Sequence, residues 1–475
     1  MKLSRILIVR LPCKKIYPLG PVYLMSLLRR AHPQSSQRLL DLALVRPHQR
    51  TTVLQEVLRK DKPDVIAFSW RDIQIFSPHD MDPAMRDAFI FFHDPSPAKR
   101  IIAAFKGLGH ILSYQSGIAE NLRLIRTTIN HAPGSVIAVG GPSVRIFGEN
   151  LRSRFPSQAR LFPQANLEVF FQLLALPPPE DPLEPELELD FLETAFPEWC
   201  AYREEQIGIQ TKQGCPHACL YCLYGFLEGR EVRRRNPARV VREMKEYHRR
   251  WGSRRFWFAD SQLLSGPRDR QHLSEILEGL LLQGLNMNWS GYLRINSLDQ
   301  ELAGLMVRTG LSDLEISLNS GSQVILDQLH MGLSVEEVVK GCEILRRAGY
   351  PGRIFINLSL NAPGETRETL LETIAVIRRI RDILGDQRVV PVLFFLAIQP
   401  HTGLERKAME EGYLKAGYDP LSPYPWAVRK LIYNPPPLDR LIGRCCARAF
   451  RSPEDSVGSR VLAYLEEELL RSPSP

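Results

Sequence analysis

The chain has 475 residues, too many for one ordinary hydrophobic core, so two or three domains are expected. Apolar and charged shares of 44% and 24% exclude a disordered chain, and a net charge of +8, thin for this length and without a basic stripe interleaved with aromatics, gives no basis for a nucleic-acid partner. No apolar run reaches the ~18 residues of a membrane span, and the opening "MKLSRILIVRLPC" is too briefly apolar for a signal peptide, so a cytoplasmic protein with no membrane span is expected.

Residues 1–175 alternate short β-rich runs with helical spacing. "SRILIVRLP" reads as a strand, "GPVYLMSLLRRA" as a helix, "DVIAFSW" as a second strand and "SVIAVGGPS" as a third that ends in a glycine pair. Strands separated by helices imply a parallel sheet, hence a doubly wound α/β domain. Ligands of such sheets sit at the carboxyl ends of the strands, which places Pro18 to Gly20, Ser69 to Asp72 and Gly140 to Ser143 on one rim. Gly140 and Gly141 are equally explained as the residues that let the chain turn after a strand. Residues 176–198, with "LPPPEDPLEPELELD", read as an extended linker rich in Pro and acid. Residues 199–405 resume the strand and helix alternation from "QIGIQT" to "VVPVLFFLAIQP", the pattern of a partial (β/α) barrel, whose chemistry belongs in the loops after its strands. Residues 406–475 form a C-terminal extension ending in a helix at "SRVLAYLEEELLR".

Cysteine is sparse except in "GCPHACLYC", where Cys215, Cys219 and Cys222 follow the first strand of the second region. Structural zinc wants four ligands, and the candidates for a fourth are His217, Cys200, Cys445 and Cys446. A four-iron cluster needs four corners held but can leave one to a ligand that is not protein. Three cysteines in one loop suit that case, with Pro216 stiffening the turn and Tyr221 placing a ring before the last ligand. Elsewhere, Arg230 and Arg233 to Arg235 read as a solvated approach to a helix, with an anionic group as the alternative partner, and Cys445 and Cys446 as thiols without a metal.

The stretch "QTKQGCPHACLYC" resembles the signature of the radical S-adenosylmethionine superfamily, and similarity continues through "FWFADSQL", "YLRINSLDQELAGLM", "EISLNSGSQ" and "NAPGETRETL". The resemblance implies a [4Fe-4S] cluster on Cys215, Cys219 and Cys222 and S-adenosylmethionine on its open iron, cleaved by an electron from a flavodoxin, a ferredoxin or a reductase. It implies Tyr221 at the adenine side, Asp260 and Ser261 at the methionyl amino group, Arg294 at the carboxylate, and Ser320, Gly321 and Ser322 near the ribose. Asn319 stands where relatives often carry Glu.

An α/β domain before such a barrel resembles the cobalamin-binding branch of the superfamily, on "PLGPVYLMSLLRRA", "DVIAFS" and "VIAVGGPSV". The resemblance implies that Gly140 and Gly141 admit the nucleotide tail of the corrinoid and that Ser69 hydrogen-bonds it. No Asp-x-His-x-x-Gly stretch supplies a lower-face histidine, so an inherited domain that binds nothing is the alternative. "FSWRDIQIFSPHD", "FLAIQPHTGLE" and "GYDPLSPYPWAVRKLIYNPPPLD" further resemble a cyanobacterial subgroup of this branch associated with photosystem II high-light acclimation. Three readings follow: a radical enzyme acting on an unreactive carbon, by methylation or rearrangement; a cluster-bearing redox or light-stress sensor without turnover; and a zinc-stabilised binding protein.

Overall fold

A computed structural model describes residues 5–71, 82–162, 167–422, 424–451 and 456–471. The chain divides into two compact units. One comprises residues 1–73, 114–213 and 233–259, and the other residues 74–113, 214–232 and 260–475.

The first unit is built on β1 (Arg5–Arg10), β2 (Ser36–Asp41), β3 (Val65–Ser69), β4 (Val136–Gly140) and β5 (Ala159–Leu161), all parallel in the order β2-β1-β3-β4-β5. Runs such as "ILIV" and "VIAF" form strands because crossover helices cover both faces and every side chain is buried; Val9 and Ile66 are fully so. Register places Asp41, Arg10, Ser69 and Gly140 side by side at the carboxyl rim. Asp72, expected on the same rim, lies outside the described residues. The unit also contains a parallel pair, β6 (Ile207–Ile209) with β9 (Arg255–Phe258), and an antiparallel ribbon, β7 (Lys212–Gln213) with β8 (Arg233–Arg234).

Two readings of this unit change. Residues 176–198 include a helix, Leu189–Ala195, and bury Leu183, Leu189, Leu192 and Phe196, so apolar side chains interleaved with the acids and prolines pack the segment down. Arg235 is not solvated: it is 1% exposed and its guanidinium bonds Glu243 Oε2 at 2.7 Å and Tyr23 Oη at 2.9 Å, since a buried cation needs a partner.

The second unit carries β10 (Asn288–Leu293), β11 (Leu311–Asn319), β12 (Ile354–Leu360) and β13 (Val389–Ala397), parallel neighbours in that order, with the short β14 (Ile432–Tyr433) antiparallel on β13. Each strand returns through a helix, and strong caps start two of these helices: Ser334 with Glu337, and Thr366 with Thr369, each pair satisfying two backbone donors reciprocally. This is the strand and helix alternation expected of a partial barrel. The C-terminal helices Asp439–Ala449 and Val457–Arg471 complete the unit, and Phe89 of the helix Pro83–His93 stacks against Phe395 and Phe450. Cys445 and Cys446 are buried in this packing and join no disulfide. No helix among the described residues is long and apolar enough to cross a membrane.

Candidate active site

The cysteine loop is shaped by main-chain contacts within the second unit. Gly214 turns the chain at φ +96°, and a Cβ there would lie 1.9 Å from the carbonyl oxygen of Glu231, so only glycine fits. The amide of Gly214 donates to Glu228 Oε2 (3.1 Å), that of Cys215 to the carbonyl of Gly229 (3.0 Å) and that of Leu220 to the carbonyl of Leu329 (2.9 Å). The carbonyl of Leu220 in turn accepts from the amide of Leu404 (2.8 Å).

The loop holds Cys215 buried and Cys219 and Cys222 half-buried, none in a disulfide. Burial raises the free thiols of Cys219 and Cys222, the latter to about 12, while Arg294 and Arg230 oppose the rise at Cys219. Such thiols ionise only when an electropositive partner stabilises the thiolate, as an iron would. Among the described residues no three Cys, His, Asp or Glu side chains converge as ligands of one metal ion. A cube, by contrast, presents separate corners, which suits three thiols spread around a loop better than the zinc alternative.

Of the expected cofactor residues, Tyr221 and Arg294 lie within electrostatic reach of the cysteine thiols. Tyr221 is half-buried; desolvation of its phenol raises it far above the usual range, and Asn319 donates to its oxygen. Arg294 follows β10, and its Nη2 donates to the carbonyls of Met331, at 2.6 Å, and Gly332; burial lowers it, and the Cys219 and Cys215 thiols act in the opposite sense. Asp260 is buried at the residue after Ala259, and Ser261 follows it. Ser320 and Gly321 have another use. Ser320 Oγ pairs with Thr373 Oγ1 (3.1 Å), and a Cβ on Gly321 would stand 2.5 Å from the Cα of Thr373, so these two residues dock the helix Arg367–Leu384 against the end of β11. Ser322 Oγ is the group they leave available.

Three buried oxygens in this region, Ser261 Oγ, Asn319 Oδ1 and Ser322 Oγ, have no hydrogen-bond partner among the described residues. Orphaned buried acceptors are rare in folded chains and point to a ligand. The amino group and ribose hydroxyls of S-adenosylmethionine are donors of the required kind, so the residues present fit that cofactor.

Two groups escaped sequence reasoning. Gln262 directs Nε2 at the sulfur of Cys215, 3.9 Å away. On one face of the sheet, Tyr292 of β10 and Asn357 of β12 both donate to Glu315 of β11, whose carboxyl is raised by burial. Alternation in "LSDLEISLN" and "IFINLSL" carried the signal for the second group, because polar residues recur at every other position of otherwise apolar strands.

In the first unit Ser69 and Gly140 are direct neighbours at the rim, and a Cβ on Gly140 would meet only Phe162, at 3.8 Å. Gly141 is needed for a different reason: at φ +106° its Cβ would stand 2.5 Å from the carbonyl oxygen of Trp70, so the turn itself demands glycine. On β1 and β2 the rim is filled from within. Arg10 Nη1 donates to Asp41 Oδ2 (2.9 Å) and to Tyr202 Oη (2.9 Å), and Tyr202 donates to Asp41 (2.5 Å). The ends of β3 and β4 are thus the part of the rim that suits a corrinoid tail.

Residues 209–377 match the family model described as Radical SAM superfamily. An uncharacterised methyltransferase of Pyrococcus horikoshii is 22% identical over 36% of this chain and 36% of its own, and a tRNA-2-methylthio-N(6)-dimethylallyladenosine synthase of Trichlorobacter lovleyi is 21% identical over 56% of this chain. The chain spans 36% and 62% of the lengths of these relatives. Among solved structures, the cobalamin-dependent S-adenosylmethionine radical enzyme OxsB, with aqua-cobalamin and S-adenosylmethionine bound, superposes with a TM-score of 0.63 over 99% of this chain and 71% of its own, at 14% identity. With the fold of such enzymes, the chain carries in residues 209–377 a radical S-adenosylmethionine domain.

Proposed function

We propose that the protein is a radical S-adenosylmethionine enzyme, assisted by cobalamin, that methylates or rearranges an unreactive carbon. The observation that carries this reading is the three-cysteine loop beside the unpartnered oxygens of Ser261, Asn319 and Ser322. When bound, the [4Fe-4S] cluster supplies an electron to S-adenosylmethionine, and cobalamin supplies a carrier for its methyl group.

The residues of the chain bind and orient. Cys215, Cys219 and Cys222 would hold the cluster. Ser261, Asn319 and Ser322 would accept from the sulfonium cofactor, and Asp260 and Arg294 would meet its amino and carboxylate ends. Tyr221 packs 6.1 Å from the ring of Phe394, which leaves an aromatic wall for the adenine. Ser69 and the backbone at Gly140 would receive the corrinoid in residues 1–175, and residues 199–405 would form the catalytic core. Glu315, held by Tyr292 and Asn357, offers a polar contact to the substrate. The resemblance of "FLAIQPHTGLE" and its companion segments supports a substrate connected with photosystem II high-light acclimation, and a flavodoxin, a ferredoxin or a reductase as the electron source.

The test is anaerobic reconstitution with iron, sulfide and hydroxocobalamin, followed by dithionite and S-adenosylmethionine. Cluster and corrinoid absorption together, with 5′-deoxyadenosine or S-adenosylhomocysteine formed, support the reading. Cluster absorption with neither product would favour the sensor, and zinc in place of iron would overturn both.

A further inference from the structure

The helix Pro97–His131 begins with its pattern inverted. Ile101, Phe105, Leu108 and Leu112, spaced four, three and four apart, form one stripe, and they are 58%, 74%, 50% and 53% exposed. Within residues 97–113, which belong to the second unit, the inward side carries small or polar residues instead. Ala103 is buried there, and His110 Nε2 pairs with the buried carboxylate of Asp87 at 2.9 Å. The large apolar side chains therefore add nothing to the core, and a contiguous apolar surface of this kind marks a docking face.

What covers it is indicated by charge. Between Asp94 and Glu120 there is no acidic residue, while Lys99, Arg100 and Lys106 are basic and exposed. A groove of about 400 Å³ runs along the stripe between Phe91 and Leu108, and Arg100, whose Nε donates to the carbonyl of Phe91, stands in its wall. Two copies of this face brought together would oppose like charges along the whole contact. An anionic surface with an apolar interior satisfies both the cations and the stripe, the arrangement of helices that lie in a membrane interface.

We infer that the exposed face of residues 97–112 docks the protein onto the surface of an anionic lipid bilayer, with Ile101, Phe105, Leu108 and Leu112 entering the acyl boundary and Lys99, Arg100 and Lys106 meeting the headgroups. The docking is peripheral and independent of any cofactor.

The full chain is mixed with vesicles of phosphatidylcholine alone, or of phosphatidylcholine with phosphatidylglycerol, and sedimented. The protein sediments with the anionic vesicles, less with the neutral ones, and less again as salt is raised. Phe105→Ser with Leu108→Ser lowers the partition coefficient by about tenfold or more, and Lys99→Glu with Lys106→Glu by a similar order. All four side chains are exposed, so thermal melting of both variants matches the parent. Absence of sedimentation with anionic vesicles, or equal binding by parent and variants, overturns the inference. So does a lipid-free dimer in sedimentation velocity that Phe105→Ser with Leu108→Ser makes monomeric, because it assigns the face to a second copy.

Discussion

The Nε2 of Gln262 points at the Sγ of Cys215 from 3.9 Å, so the most buried of the three thiols is also the one with an amide donor. Hydrogen bonds to cluster sulfurs stabilise the reduced state, which bears more negative charge. Gln262→Leu is therefore expected to move the midpoint potential of the reconstituted cluster downward. A bond of about 1 kcal/mol corresponds to ~40 mV in a one-electron couple. A redox titration followed by electron paramagnetic resonance reads the shift, and an unchanged potential refutes the role.

Gly321→Ala tests how tightly the helix Arg367–Leu384 is docked. The added methyl would meet the Cα of Thr373 at 2.5 Å and the Cβ of Val376 at 3.0 Å, backbone and a branched side chain that yield little. A loss of about 1–3 kcal/mol in unfolding free energy is expected. Denaturant titration that leaves the midpoint unchanged would show that the helix can slide away without cost.

Glu365 sets a pH dependence. Burial raises its carboxyl from 4.5 to about 7, against the opposing bonds from Thr369 and Ala362. The folded state thus holds a proton that the unfolded state releases, so this group favours folding most below about pH 4.5, and that contribution declines until about pH 7. The total is roughly 3 kcal/mol. Glu365→Gln, which keeps a carbonyl acceptor but cannot ionise, should stabilise the chain at pH 8 and have little effect near pH 4.5. Unfolding free energies measured at the two pH values decide it.

Arg10→Met strands the carboxylate of Asp41, which has no exposed side-chain surface. Removing one partner of a buried pair typically costs about 3–5 kcal/mol, and the double variant Arg10→Met with Asp41→Leu should recover much of that loss. Thermal melting of the single and double variants checks both statements.

The residues that advertise chemistry by spacing were readable without coordinates. Cys215, Cys219 and Cys222 sit in one loop, and the continuous apolar runs of β1, β3 and β4 became buried parallel strands, because local pattern determines both. Partner identity was not readable. Ser320 and Ser322 differ by two positions in sequence, yet one is occupied by Thr373 and the other has no partner among the described residues, a distinction set by a helix about fifty residues away. Arg235 looked solvated within "VRRRNP" because nothing local showed that Glu243 and Tyr23 would enclose it.

The turn at Gly214 bears on how a metallocentre is acquired. Gly229 and Leu329 anchor this hairpin through their carbonyls and Glu228 through its carboxylate, with Leu404 bracing its far side, and none of these contacts involves a sulfur atom. A loop so anchored is expected to keep its course without iron, unlike a zinc finger that condenses around its ion. Stripping with a chelator should then erase the colour of the protein while its melting transition stays close to where it was.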